Sequence, residues 1–208
     1  MVADHVVLCL PFTALREVDL DGAGFDAKRL EGIRELGMGT NAKLLLQFRD
    51  RLRTFEDWSG TFNTDQPKSD SWASTLEQRG RGDVLTIFTG GKTGAGYPTD
   101  VPHGPAPAGV VEDALGFLDT WMPGMRASFD GIAWLDSWVD DPWTKGSYAA
   151  FLPGQWTSLF GYMGLPTDHV HFAGEHTSTY SQGYLNGGVE TGLRAAREIL
   201  HALGRRAA

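Results

Sequence analysis

The stretch His169-Val170-His171-Phe172-Ala173-Gly174-Glu175-His176-Thr177-Ser178, continuing through Gly183-Tyr184-Leu185-Asn186-Gly187-Gly188-Val189-Glu190-Thr191-Gly192, decides the fold. It reads as an apolar strand ending in Gly-Glu, a polar loop, and a helix rich in small residues. That order sets a carboxylate at the carboxyl end of a strand with a helix N-terminus beside it. Free backbone N–H groups and the positive end of a helix dipole then face one crevice. Such a geometry suits holding a ligand better than building a core.

The rest of the chain sets the frame. Its 208 residues suffice for a sizeable core in one domain or one and a half. A hydrophobic content of 41% with 21% charged residues is that of a globular protein. The net charge of −8 argues against a nucleic-acid or anionic-membrane surface. The single cysteine, Cys9, lies in the apolar run Val6-Val7-Leu8-Cys9-Leu10, so no intrachain disulfide forms and a buried structural thiol is expected. No apolar run approaches a membrane span, and the N-terminus lacks the basic start of a signal peptide. The expected location is therefore the cytoplasm.

In chain order, Asp4–Leu10 reads as a buried strand ended by Pro11, one that needs sheet partners elsewhere. Asp26–Leu36 carries Leu30, Ile33 and Leu36 at helical spacing, and Gly37-Met38-Gly39 breaks that helix. Asn41–Phe48 is a strand holding Lys43 among apolar neighbours. The segment from Asp50 to Ser69, with Phe55, Trp58 and Phe62, reads as an irregular excursion or a short hairpin. Asp83–Thr89 is a strand, residues 92–108 a Gly/Pro loop around Tyr97, Val110–Trp121 a helix and Gly131–Val139 a strand. A short helix over Gly154–Met163 precedes the opening stretch, whose final helix runs to about Leu203. Strands and helices interleave, so the class is mixed α and β, with a sheet that is not all parallel.

Several chemistries drop out. Gly22–Ala27 and Gly37–Ala42 match a loosened dinucleotide fingerprint, but neither sits in the strand–turn–helix order that function needs, and both read as turns. The six histidines have no metal-ligand spacing, and no Gly-x-Ser-x-Gly elbow is present. His169 and His171 alternate along one strand and read as edge or satisfied polar positions. Lys43 points either to solvent, which strand alternation favours, or into a cavity where desolvation makes its proton usable. Tyr148 and Tyr184 are either core rings or, each lying just after a glycine and near polar residues at a loop–element junction, two walls of a slot for a flat or cationic group.

Taken together these positions resemble the flavin-dependent amine oxidases (monoamine, polyamine and L-amino-acid oxidases) almost end to end. The opening strand with Pro11 is similar to the family's last strand of the central flavin-domain segment. Gly39-Thr40-Asn41-Ala42-Lys43 resembles the strand bearing the family's lysine, which reaches flavin N5 through a water. Gly146-Ser147-Tyr148 resembles one wall of the aromatic cage; Gly183-Tyr184-Leu185-Asn186-Gly187 resembles the other wall and the helix N-terminus under the isoalloxazine. Gly174-Glu175 matches the acid that binds FAD.

The resemblance implies Lys43, Tyr148 and Tyr184 as catalytic residues, with Gly174, Glu175, Gly183, Tyr184, Leu185 and Ser147 holding FAD. It also implies hydride transfer from an amine Cα–H to flavin N5, imine hydrolysis, and reoxidation by O2 to hydrogen peroxide. Ser147 stands where monoamine oxidases carry the cysteine that bonds flavin, so FAD is expected to be non-covalent. The expected organisation is the end of a flavin-domain segment over 1–12, a substrate-binding domain with a mixed sheet and flanking helices over 13–165, and the last strand and helix of a Rossmann-like FAD domain over 166–208.

The family's pyrophosphate-binding half would comprise roughly two hundred residues ahead of Met1. A flavin-domain partner or half is therefore expected, and an apolar face with it. Other readings are a non-catalytic truncated fragment, or an amino-acid oxidase, flavin monooxygenase or desaturase. Arg49, Arg51 and Arg53 are the candidate carboxylate clamp for an amino-acid substrate, whereas the tyrosine pair leans toward simple amines.

Overall fold

The computed structural model describes residues 2–52, 60–68 and 70–205. In order its elements are β1 (Val6–Leu8), α1 (Phe12–Leu15), α2 (Ala27–Glu35), β2 (Ala42–Phe48), β3 (Thr61–Asn63), β4 (Asp70–Ala73), β5 (Asp83–Thr89) and α3 (Gly91–Ala95). There follow β6 (His103–Pro105), α4 (Ala108–Trp121), α5 (Met125–Ser128), β7 (Phe129–Ser137), α6 (Gln155–Leu159), β8 (Val170–Phe172) and α7 (Leu185–Ala202). Two units result: residues 40–142, and residues 1–39 with 143–208. Residues 13–39 and 143–165, expected with the substrate-binding segment, thus fall with β1 and β8.

The unit over 40–142 is built on β2. Ala42, Leu44, Leu46 and Phe48 alternate onto one face and are fully buried. The strand is flanked by β5 and β7 in a sheet of order β3-β4-β5-β2-β7-β6. Every pairing in it is antiparallel, so the sheet is not mixed as expected. Where they are described, its antiparallel neighbours are joined by a turn between β4 and β5 and by α4 and α5 between β6 and β7, and such pairs need no parallel crossover. α4 covers the buried face with Val110, Ala114, Leu115 and Leu118, which join Leu44, Leu46, Leu85, Ile87 and Leu135 in one core.

The Gly/Pro stretch 92–108 holds more than a loop. A Cβ on Gly94 would sit 2.1 Å from the Thr40 carbonyl oxygen, so glycine lets α3 lie against the start of β2. β6 ends in Pro105, tolerated because an edge strand has one neighbour and needs fewer ladder donors. The expected excursion is a hairpin of β3 and β4 where it is described; Arg53, Phe55, Trp58 and Ser69 lie outside the described residues.

In the other unit β1 and β8 form a two-stranded parallel ribbon, Val6 opposite Val170 and Leu8 opposite Phe172. Its inner side packs on Phe12, Leu15, Ile33, Leu36, Leu159 and Met163. Asp26 caps α2 by accepting from the Arg29 N–H at 2.7 Å. The Arg29 side chain, almost fully buried, donates to the carbonyls of Met163 (2.7 Å) and Leu165 (2.6 Å) and lies over the Phe172 ring at 4.0 Å. Burial lowers its pKa, and the carbonyls replace lost water.

Two expectations fail here. β1 is not buried, for Val6 and Val7 are 44% and 39% exposed, and Cys9 is exposed as well. Among the described residues β1 pairs with β8 alone, and only Leu8 reaches the core cluster. α7 behaves likewise: Gly187, Thr191 and Ala195 face inward, while Leu185 (92%), Val189 (66%) and Leu193 (52%) form an exposed apolar stripe at i, i+4 and i+8.

Candidate functional site

The site starts where β8 runs out. Gly174 has φ 118° and ψ 156°, and a Cβ there would lie 2.5 Å from the His176 ring, so only glycine makes this corner. Its N–H donates to Thr191 Oγ1 at 2.9 Å, and that hydroxyl donates to the Gly187 carbonyl at 2.7 Å. The strand end is thereby fastened to the first turns of α7. Glu175 follows, and its carboxylate spans two loops. Oε1 accepts from the Ala149 N–H at 2.9 Å and Oε2 from the Gly183 N–H at 2.6 Å.

Those loops carry the predicted tyrosines. Ser147–Ala150 pairs with Gly37–Gly39: the Ser147 N–H donates to the Gly39 carbonyl (2.8 Å), and the Gly39 N–H to the Tyr148 carbonyl (2.7 Å). A Cβ on Gly183 would be 3.4 Å from Tyr148 Cδ2, so the Tyr148 ring rests against Gly183, next in the chain to Tyr184. Tyr148 is half-buried and Tyr184 exposed. Tyr184 occupies the N-cap of α7 in an extended conformation and gives no side-chain cap, and Leu185 in the first turn projects outward. The first-turn N–H groups of an eighteen-residue helix thus end at an apolar, uncapped position.

Gly174, Glu175, Gly183, Tyr184, Leu185, Ser147 and Tyr148 all fall in this unit. Sequence reading missed Thr191, the pin between Gly174 and α7, and Ser178, whose hydroxyl donates to Glu190 at 2.6 Å and accepts from the Ser181 N–H at 2.8 Å. A Thr seventeen residues after a Gly gives no local signal. The turn is tight: a Cβ on Gly187 would approach the Ser181 carbonyl oxygen to 2.3 Å. Gly187→Ala is expected to cost about 2 kcal/mol through forced movement of that turn, read as a lower denaturation midpoint.

His176 is buried against Phe12, ring centroids 4.5 Å apart. Burial, with the nearby Arg194 cation adding to it, lowers its pKa to about 4, so the ring is neutral near pH 7.

Lys43 belongs to the unit over 40–142. It lies on the sheet face opposite the core, half-buried, level with Phe88 on β5 and Asp136 on β7. Asp136 accepts from Trp134 Nε1 at 3.1 Å and lies 2.9 Å from His103 Nδ1. Of the candidate arginine clamp, Arg49 donates to the carbonyls of Phe129 (3.0 Å) and Ala127, and Arg51 to those of Thr75 (2.9 Å), Gly80 (3.1 Å) and Gln78. Both guanidinium groups hold backbone. Among the described residues no cluster of three or more His, Cys, Asp or Glu is arranged to hold a metal ion, and no helix is long and apolar enough to cross a membrane.

The family profile of flavin-containing amine oxidoreductases matches residues 1–200. YobN of Bacillus subtilis (strain 168), which carries the name of an L-amino-acid oxidase, is 26% identical over 211 residues, covering 95% of this chain and 41% of that protein. Human flavin-containing amine oxidase B is 40% identical over 70 residues, 33% of this chain and 14% of that protein. Cyclohexylamine oxidase of Brevibacterium oxydans IH-35A shares the fold with a TM-score of 0.83 at 21% identity, over 98% of this chain and 44% of that one. A putrescine oxidase solved with putrescine gives 0.79 at 17% identity, over 96% and 43%. The chain therefore spans less than half the length of these relatives.

Proposed function

Because the chain belongs to the family of flavin-containing amine oxidoreductases, we propose that it is the substrate-side part of an FAD-dependent amine oxidase, working with a flavin-domain half. The observation that carries this reading is Glu175, which ties the Tyr148 loop to the Gly183-Tyr184 turn ahead of an uncapped helix N-terminus. An uncapped helix start suits the electron-rich edge of an isoalloxazine. Neither Gly22–Ala27 nor Gly37–Ala42 stands in the strand–turn–helix order that a pyrophosphate cradle needs, which supports a cradle supplied by the other half. The exposed stripe Leu185, Val189 and Leu193 and the bare edge of β1 are where a flavin-domain half would pack.

In this reading residues 1–12 and 166–208 complete the FAD domain, and the sheet built on β2 supplies the substrate side. Tyr148 and Tyr184 flank a neutral amine and orient its Cα–H. Lys43 holds a water by its ammonium and passes a proton through it. The N–H groups of Leu185 and Asn186, with the dipole of α7, favour negative charge beside them. Ser147 offers no thiol, so the cofactor stays non-covalent. FAD, when bound, supplies the hydride acceptor, and dioxygen then takes the electrons as hydrogen peroxide while the imine hydrolyses. Because Arg49 and Arg51 are held by backbone carbonyls, amines without a carboxylate are favoured over amino acids.

The test is co-purification with a chain carrying the family's Gly-rich strand–turn–helix, followed at about 450 nm, where oxidised flavin absorbs. Yellow protein that bleaches with an amine under anaerobic conditions and loses its flavin on denaturation supports the whole reading. Colourless protein in every pairing would favour a fragment without activity. Yellow protein from this chain alone would overturn the need for a partner. In the assembled enzyme Lys43→Met is expected to lower turnover about a hundredfold while leaving the melting midpoint in place, since Lys43 sits on a half-buried face.

A further inference from the structure

Three histidines meet at the N-terminal end of the β1–β8 ribbon, away from Gly174 and Glu175 at its other end. His5 lies 5.0 Å from His169 and 5.3 Å from His171, ring centroid to centroid. His5 Nδ1 is 3.2 Å from His171 Nε2, and His171 Nδ1 is 2.8 Å from Glu198 Oε2 on α7. His171 is buried, and the ion pair of Arg194 Nε with Glu198 Oε1 at 3.3 Å holds the carboxylate from the other side. The other charged groups near in the chain are Asp4 ahead of β1, Asp168 ahead of β8 and His201 one turn on along α7.

The proton count follows from the contacts. A carboxylate only accepts, so His171 Nδ1 carries hydrogen. One further hydrogen lies between His171 Nε2 and His5 Nδ1. With both rings neutral it sits on His5, and with one ring charged it sits on His171, beside Glu198. The contact survives either way. A second charge puts N–H against N–H at 3.2 Å with two cations side by side, and the contact cannot survive.

We propose that the His5–His171 pair is a proton-operated clasp that fastens β1 to β8 and α7 and releases β1 when both rings are charged. The ribbon so loosened leads into the Gly174-Glu175 corner, which makes the clasp a link between acidity and the order of the candidate site. It does not depend on the chain being an oxidase.

The test is amide hydrogen exchange on the chain. The Val6 N–H donates to the His169 carbonyl at 3.0 Å and reports β1; the Ala195 amide, inside α7, reports unfolding of the unit as a whole. On acidification from about pH 7.5 to about pH 4, Val6 protection relative to Ala195 should hold while the pair carries one charge and fall about tenfold, the value of one lost hydrogen bond, once the second is added. His5→Gln, at a partly exposed position before β1, should abolish that fall, because an amide meets His171 Nε2 as donor or acceptor without taking up a proton. A flat wild-type ratio or an unchanged fall in His5→Gln would each overturn the clasp. Titration of buried His176 persists in both proteins and cancels in the comparison.

Discussion

Glu175→Gln is expected to destabilise the chain by about 4 kcal/mol. The carboxylate accepts one backbone N–H on each oxygen, from Ala149 at 2.9 Å and from Gly183 at 2.6 Å. A hydrogen bond to a charged acceptor contributes about 1.5–3 kcal/mol, and a buried donor left without a partner costs about 1–3 kcal/mol. Glutamine keeps one acceptor oxygen and turns an NH2 group toward the second N–H, so it loses one bond and sets donor against donor. The Tyr148 loop and the Gly183-Tyr184 turn would then be joined on one side only. Urea unfolding of wild type and variant measures this, and Glu175→Asp, too short to span both loops, should fall between them. An unchanged midpoint would mean that other contacts hold the two loops.

Acid is expected to remove about 3 kcal/mol of stability through His176 alone. Its folded pKa is about 4 against an ordinary 6.5, because burial and Arg194 both disfavour the cation. Between those values the unfolded chain binds more protons than the folded one, so stability rises with pH across that window. The contribution is whole above about pH 6.5, falls as the pH drops, and is lost below about 4. Two and a half units correspond to about 3 kcal/mol. His176 Nε2 has no hydrogen-bond partner, and the ring packs edge-on to Phe12. His176→Phe should therefore be tolerated near pH 7 and should flatten the pH dependence of the unfolding free energy between 6.5 and 4. An equally steep dependence in the variant would show that His176 takes up its proton as readily in the folded chain as in the unfolded one.

The elements that carry their own periodicity could be read without coordinates. β5 has the expected bounds of Asp83–Thr89, β2 differs by one residue, and α4 and α7 by a few at their ends. Asp26 was readable as a helix start because its cap acts on the next turn. What failed was anything set by a distant neighbour. An apolar run such as Val6–Leu10 states a preference for burial but not what covers it, and here the outer side of β1 is bare. Prolines and glycines over 92–108 masked α3 and β6, since a glycine that permits close approach looks the same in sequence as one that marks a loop. For the site, the Gly-Glu corner was legible from the strand–loop–helix order, whereas Thr191 and the two N–H groups held by Glu175 were fixed only by folding. The burial of Arg29 was invisible for the same reason, because its partners are carbonyls more than a hundred residues away.

The insertion of residues 40–142 between the two stretches of the other unit sets an order of events during synthesis. β1 is made more than a hundred residues ahead of its partner β8, so it must wait while the whole inserted unit is translated. The inserted unit does not wait: Ala42 and Ser137, near its two ends, face each other on β2 and β7. Once that sheet closes, the chain between β1 and β8 is short-circuited, and each halving of the effective loop lowers the closure cost by about 0.6 kcal/mol. Early assembly of the sheet is thus a kinetic precondition for the ribbon, and slowing β2–β7 pairing should delay the appearance of both. Meanwhile the nascent β1 is an unpaired, apolar edge, the part of the newborn chain most in need of a chaperone.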